Sequence, residues 1–335
     1  MARFKLVPYS IRIKDISRDR YVALDKIPVN RIHTNSSNSF IDFYGIFVDF
    51  CDRYTENNII NREDSQKTLF FERYTSKPSY RIVYGTIKSG DYGYEADFLD
   101  IRQRRLIRSA RQSHHSELIP FFFLLHLPLV RNRDRGFLIL ETFRNQGIKS
   151  ILQDALEGYL KDITGQNNLR LEINPLISQE LVQKLESADR ILEIKFIKRK
   201  IPRNVADKNL LENYEDIYEE RSFKIKRNRS LRFIGGITDN LIAKLKNVEY
   251  PYYEIQDEKY DQIKIVIESE GSTHTLTING GPKLRERRIL NPEELEFEGG
   301  FPTESSLLTI AISYLNYILE RNDENLINRE EFIRS

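Results

Sequence analysis

Between Phe4 and Phe143 the chain is a succession of short apolar runs, each stopped by turn-forming residues. Phe4, Leu6, Ile11 and Ile13 alternate along the first run, which Pro8 interrupts. Runs at 68–74, 79–88 and 92–99 are separated by Lys77-Pro78-Ser79 and Ser89-Gly90-Asp91, and further runs follow at 101–108, 118–127 and 136–143. A period of two bounded by Gly, Pro, Ser and Asp predicts strands. Connections this short predict antiparallel neighbours, because a parallel crossover needs a dozen or more residues. The run at 40–50 fits a strand or a short helix.

The period changes after Gly147. Ile148, Ile151, Leu152, Ala155, Leu156, Tyr159, Leu160 and Ile163 recur at helical spacing. They predict a helix over 148–163 that lays an apolar stripe on the preceding sheet. Thr164-Gly165 then offers a left-handed stop. The second half mixes types. A strand is expected at 169–173, then a helix from Asn174-Pro175 to about 186 and a strand over 189–200. A further strand is expected at 220–227, a helix at 238–246, a hairpin across 262–268 and 273–278, and a closing helix over 303–321. These elements predict an α+β fold in two parts. Residues 1–165 form an antiparallel β-rich domain closed by the helix at 148–163. Residues 166–335 form a mixed α/β domain with basic clusters and a C-terminal helix.

Composition narrows the function classes. The 335 residues hold 52 Lys and Arg against 50 Asp and Glu, so the net charge is only +2 and basic character has to be local. The single cysteine, Cys51, lies in an apolar setting and reads as a buried structural thiol; one cysteine excludes an internal disulfide. The N-terminus lacks the continuous apolar stretch of a signal peptide. The most apolar run, 118–130, carries His126 and two prolines and falls short of the ~20 residues of a membrane span. A cytoplasmic protein without membrane contact is expected. His126 reads as a hydrogen-bonded core histidine. Phosphate-loop, dinucleotide and zinc-protease patterns are absent, and no cofactor is expected.

Local charge is concentrated. Arg102, Arg104, Arg105, Arg108 and Arg111 form one cluster, and Lys195, Lys198, Arg199, Lys200 and Arg203 a second. Lys224, Lys226, Arg227, Arg229 and Arg232 form a third, and Lys283, Arg285, Arg287 and Arg288 a fourth. Clusters that neutralise phosphates bind a nucleic-acid backbone in a salt-dependent way. The leading expectation is a non-enzymatic DNA- or RNA-binding protein using Lys195, Lys198, Arg199, Lys200, Lys224, Lys226, Arg227, Arg104 and Arg105. The Lys-, Ile- and Asn-rich texture suggests an accessory of a prokaryotic defence or mobile-element system.

Two alternatives belong to other classes. Glu193 and Lys195 stand two apart on one predicted strand, which resembles the acid-x-lysine strand of PD-(D/E)xK nucleases. That resemblance implies Mg²⁺ held by carboxylates and a lysine steadying the attacking water. The upstream acid would be Asp162 or Asp189, neither in a Pro-Asp context, and an ordinary surface ion pair is the competing reading. Arg108 and His114 similarly invite comparison with HEPN ribonucleases, whose Arg and His lie on a long helix. The other alternative is a protein-interaction or inhibitor module with a protein partner or a second copy, marked by an exposed apolar patch such as Phe121–Phe123.

Overall fold

The computed structural model describes residues 4–30, 39–144, 146–176, 190–199, 218–224, 262–269, 272–278, 288–321 and 324–334. Its strands begin with β1 (Phe4–Asp15), β2 (Arg20–Val22), β3 (Ile60–Arg62), β4 (Lys67–Lys77) and β5 (Ile82–Asp91). They continue with β6 (Ala96–Asp100), β7 (Arg105–Arg111), β8 (Glu117–His126), β9 (Gly136–Phe143) and β10 (Leu169–Pro175). Next come β11 (Arg190–Arg199), β12 (Tyr218–Lys224), β13 (Gln262–Ser269), β14 (Ser272–Ile278) and β15 (Arg288–Ile289), and two short ladders pair Ile27–Pro28 with Phe40–Ile41 and Phe297–Glu298 with Phe301–Pro302. The helices are α1 (Phe43–Arg53), α2 (Lys149–Thr164), α3 (Glu304–Arg321) and α4 (Arg329–Arg334). The protein is mostly antiparallel sheet with a few helices, an arrangement of the α+β type.

The chain divides into two compact units, Met1–Ile173 with Arg288–Ser335, and Asn174–Arg287. The sequence-based boundary at 165/166 placed the closing helix with the basic segment; here it belongs to the first unit. The reason is apolar demand: α3 packs across β5, β8 and β9. The expected helix at 238–246, and nearly all of the one expected at 174–186, lie outside the described residues.

In the first unit the strand order is β10-β1-β9-β8-β5-β4-β3, with β2 and β15 also pairing with β1. A register shift between Phe71 and Arg73 in β4 bends the ladder against β5, and the sheet curls. One face holds Tyr9, Ile11, Phe71, Phe121, Phe123, Leu125, Leu138 and Leu140, in one core with α1 and α2. Phe123 meets Phe47 and Phe71 with ring centroids 6.0 and 5.4 Å apart. Phe122, Leu124 and His126 lie on the opposite face, on the α3 side. There Glu304, at the start of α3, accepts hydrogen bonds of 2.9 Å from both Arg73 and Thr86.

The run at 40–50 resolves as a helix. Asp42 caps α1 by accepting from the Tyr44 N–H at 3.0 Å, and its carboxylate takes both amino groups of Arg81 at 2.6 and 2.8 Å. Phe43, Phe47 and Phe50 then share one buried face. Cys51 is buried there too, and burial pushes its thiol well above the ordinary range. The end of α2 is as expected: Gly165 takes φ 63° and returns its N–H to the Lys161 carbonyl.

Two titratable groups are buried on the α3 side of the sheet. Glu141 accepts from the Phe122 N–H at 2.8 Å, and burial raises its pKa from 4.5 to about 7. His126 is buried, but its Nδ1 finds no hydrogen-bond partner among the described residues, contrary to the expectation of a bonded core histidine. Burial, with the Arg81 charge second, lowers its pKa from 6.5 to about 4. Folded Glu141 holds its proton where the unfolded chain has lost it, so its contribution falls by roughly 3 kcal/mol as pH rises from 4.5 to 7. Folded His126 stays neutral where the unfolded chain is protonated, so its contribution rises by roughly 3 kcal/mol from pH 4 to 6.5. The slopes oppose each other. Urea unfolding across this range should show Glu141→Gln gaining stability over the wild type as pH rises, and His126→Gln losing the acid-side penalty. A pH-independent difference for either variant would contradict the assignment.

Candidate nucleic-acid interface

Among the described residues, strands β6 and β7 pair only with each other, as a sheet separate from the main one. Every residue from Asp97 to Ser109 except Asp100 is exposed, so the hairpin is a ribbon with solvent on both faces. The expected strand at 101–108 therefore begins as a turn and continues as one side of this arm. Asp100 builds the turn: its Oδ1 accepts from the N–H groups of Arg102 and Gln103, both at 2.9 Å. Asp97 accepts from the Ser109 N–H at 2.7 Å, where the ladder shifts register. Both acids of the distal arm thus fold its backbone.

Arg102, Arg104, Arg105 and Arg108 remain at the tip and along β7. None of these four guanidinium groups has a carboxylate partner among the described residues. Arg104 occupies the left-handed region at φ 51°. That conformation costs a residue with a Cβ about 1–2 kcal/mol. Glycine would avoid this cost.

Arg111, grouped with the others by sequence, does a different job. It is buried at the arm's root, where it hydrogen-bonds Tyr94, the Asp91 carbonyl and, at 3.0 Å, Glu117. Its guanidinium also lies 3.7 Å from the centroid of the Tyr94 ring. The chain enters the arm through Gly93, whose φ is 97°; a Cβ there would strike Gln66.

In the second unit, β11 sits between β12 and β13, and β14 completes an antiparallel sheet. The expected hairpin is β13–β14. Glu193 and Lys195 do share one face, as the period of two requires, and Lys195 Nζ is 3.9 Å from Glu193. Lys195 is closer to Glu220 on β12, at 2.9 Å, and the Ser222 hydroxyl donates to Glu193. Lys195 is paired across the sheet with Ser222 and Lys264, and Glu193 with Lys224 and Val266. The pair is therefore one part of a cross-strand network of alternating charge. Lys224 is exposed. Lys198 and Arg199 occupy β11 opposite Glu219 and Tyr218, their side chains outside the described residues. Lys200, Lys226, Arg227 and Asp189 also lie outside the described residues, and Asp162 belongs to α2 of the other unit.

Other readings find their places. Phe121, Phe122 and Phe123 are buried, because two layers cover β8, so the apolar patch expected there does not exist. Arg108 lies on the exposed arm and His114 in the loop after it, not on a helix. Among the described residues no cluster of three His, Cys, Asp or Glu could hold a metal ion, and no helix is long and apolar enough to cross a membrane. What sequence reasoning missed was the isolation of the arm. Adjacent apolar pairs such as Phe98-Leu99 and Leu106-Ile107 do not reveal it, since β8 also carries adjacent apolar residues and is buried.

No protein family matches the chain, and no curated protein is similar to it in sequence.

Arg111→Met should loosen the arm while leaving the sheet intact. Losing charged hydrogen bonds worth about 1–3 kcal/mol should speed amide exchange over 95–112 by roughly 10–100-fold, with β8 unaffected. Unchanged exchange in the arm would show that Arg111 does not anchor it.

Proposed function

We propose that the protein binds nucleic acid through backbone phosphates, with the arginine arm as its principal contact. The observation that carries this reading is the set of Arg102, Arg104, Arg105 and Arg108 on a projecting ribbon, without carboxylate partners among the described residues. Guanidinium groups are weakly hydrated, stay charged and bind phosphate in a two-pronged geometry, so four of them favour a polyanion. Four arginines against Asp97 and Asp100 give the arm a local positive charge although the whole chain is nearly neutral. The second unit, as a mixed α/β body, supplies a further contact on this reading through Lys195, Lys198, Arg199, Lys200, Lys224, Lys226 and Arg227.

The test is a titration of the full chain with a fluorescent oligonucleotide at several salt concentrations. Four phosphate contacts from the arm alone should weaken binding at least about 100-fold between 50 and 200 mM salt, and contacts from the second unit steepen that loss. Arg104→Ala with Arg105→Ala should reduce the salt slope by about two. Binding that ignores salt, or no binding at low salt, would overturn the proposal.

A further inference from the structure

The arm carries more than charge. Ile101, at the turn, is 84% exposed, Leu99 61% and Phe98 52%. The register sets Phe98 opposite Ile107, and Leu99 opposite Leu106 one step along. Successive pairs point to opposite faces, so each face of the ribbon bears an apolar pair. A two-stranded hairpin is marginal in water by itself, and among the described residues these side chains stay about half exposed or more.

We infer that this arm enters the minor groove of double-stranded DNA and inserts Ile101 as an apolar wedge between base pairs. The inference rests on the nucleic-acid reading above and deepens it. Charge complementarity selects the occupant, because the apolar positions are interleaved with arginines. Arg102 follows Ile101, Arg105 is the cross-strand partner of Asp100 beside the Leu99–Leu106 pair, and Arg108 follows Ile107. Side chains of these two kinds, arginine and an apolar wedge, are what proteins that open the minor groove employ.

The dimensions agree. The five residues of β6 extend about 16 Å at ~3.3 Å each, against a groove depth of about 7.5 Å, so the ribbon is long enough for its tip to reach the base edges, while the groove, about 6 Å wide at rest, has to open around it as wedge insertion requires. The tip is also ordered before it meets a ligand. Asp100 locks the turn through two backbone N–H groups, and Ile101 stands immediately beside that carboxylate anchor. A wedge held in place loses little conformational entropy on insertion.

The experiment uses the full chain and a 30-base-pair DNA with 2-aminopurine at successive positions, alongside the matching single strand and poly-glutamate. The duplex should bind about tenfold more tightly than the single strand, and 2-aminopurine emission should rise as a base step unstacks. Ile101→Ala should abolish that rise while preserving the salt slope, and Ile101→Phe should restore it. Ile101 is exposed, so neither change threatens folding. Salt-dependent duplex binding without unstacking, or unstacking that survives Ile101→Ala, would overturn the wedge and leave phosphate binding standing. Equal affinity for the single strand would do the same. Absence of any DNA binding, or poly-glutamate binding as tight as DNA, would overturn both.

Discussion

The long strand β8 is apolar on both faces, and burying both takes two covering layers. Phe121, Phe123 and Leu125 belong to the core with α1 and α2, while Phe122 and Leu124 are buried on the α3 side. Burying each such side chain is worth about 1.5–3 kcal/mol, so leaving either face open would forfeit a large part of a domain's net stability. The same demand explains why α3, distant in sequence, returns to the first unit. It also explains the two buried titratable groups. The covering layer removes water from Glu141 and His126, and each then pays in the ionised form. Their opposed proton linkages keep the combined pH cost small through the mildly acidic range.

The arm is the reverse case. Among the described residues nothing closes over β6 and β7, and the ribbon persists because its backbone is satisfied locally by Asp97 and Asp100 and its root is fixed by Arg111. Acidic side chains that fold the backbone are unavailable to neutralise the arginines as specific partners. The arm therefore gains order and unpaired cationic charge from one arrangement. The strand pair at Glu193 and Lys195 follows the other course. There Glu220 and Ser222 engage the same groups, and an exposed network of that kind contributes about 1 kcal/mol or less per pair.

Legibility in the sequence followed the strength of the period. The helix at 149–164 was readable because eight apolar residues hold one stripe and Gly165 ends it. The strands at 4–15, 117–126 and 136–143 were readable from their apolar runs, and so was the β13–β14 hairpin. The run at 40–50 was ambiguous because Phe43, Phe47 and Phe50 fit a helix while the intervening residues are also apolar; Asp42 was the cap that decides it. The return of α3 was not readable, since local pattern carries no information about which face a stripe covers. The arginine cluster was visible as charge, yet its division into a buried root at Arg111 and an exposed tip depends on tertiary contacts with Tyr94 and Glu117.

Near-neutral chains can still hold strong local fields. At physiological salt a charge is screened beyond about 8 Å, so the acidic residues elsewhere in the sequence do little to cancel four guanidinium groups at the end of a projecting ribbon. Projection matters in the same sense, because an arm standing away from the body meets a polyanion before the acidic surface does. The small net charge avoids the indiscriminate attraction of a highly basic protein. On the proposed reading, attraction is confined to the element whose shape can use it, and the apolar residues between the arginines come into play after phosphates have brought a groove to them.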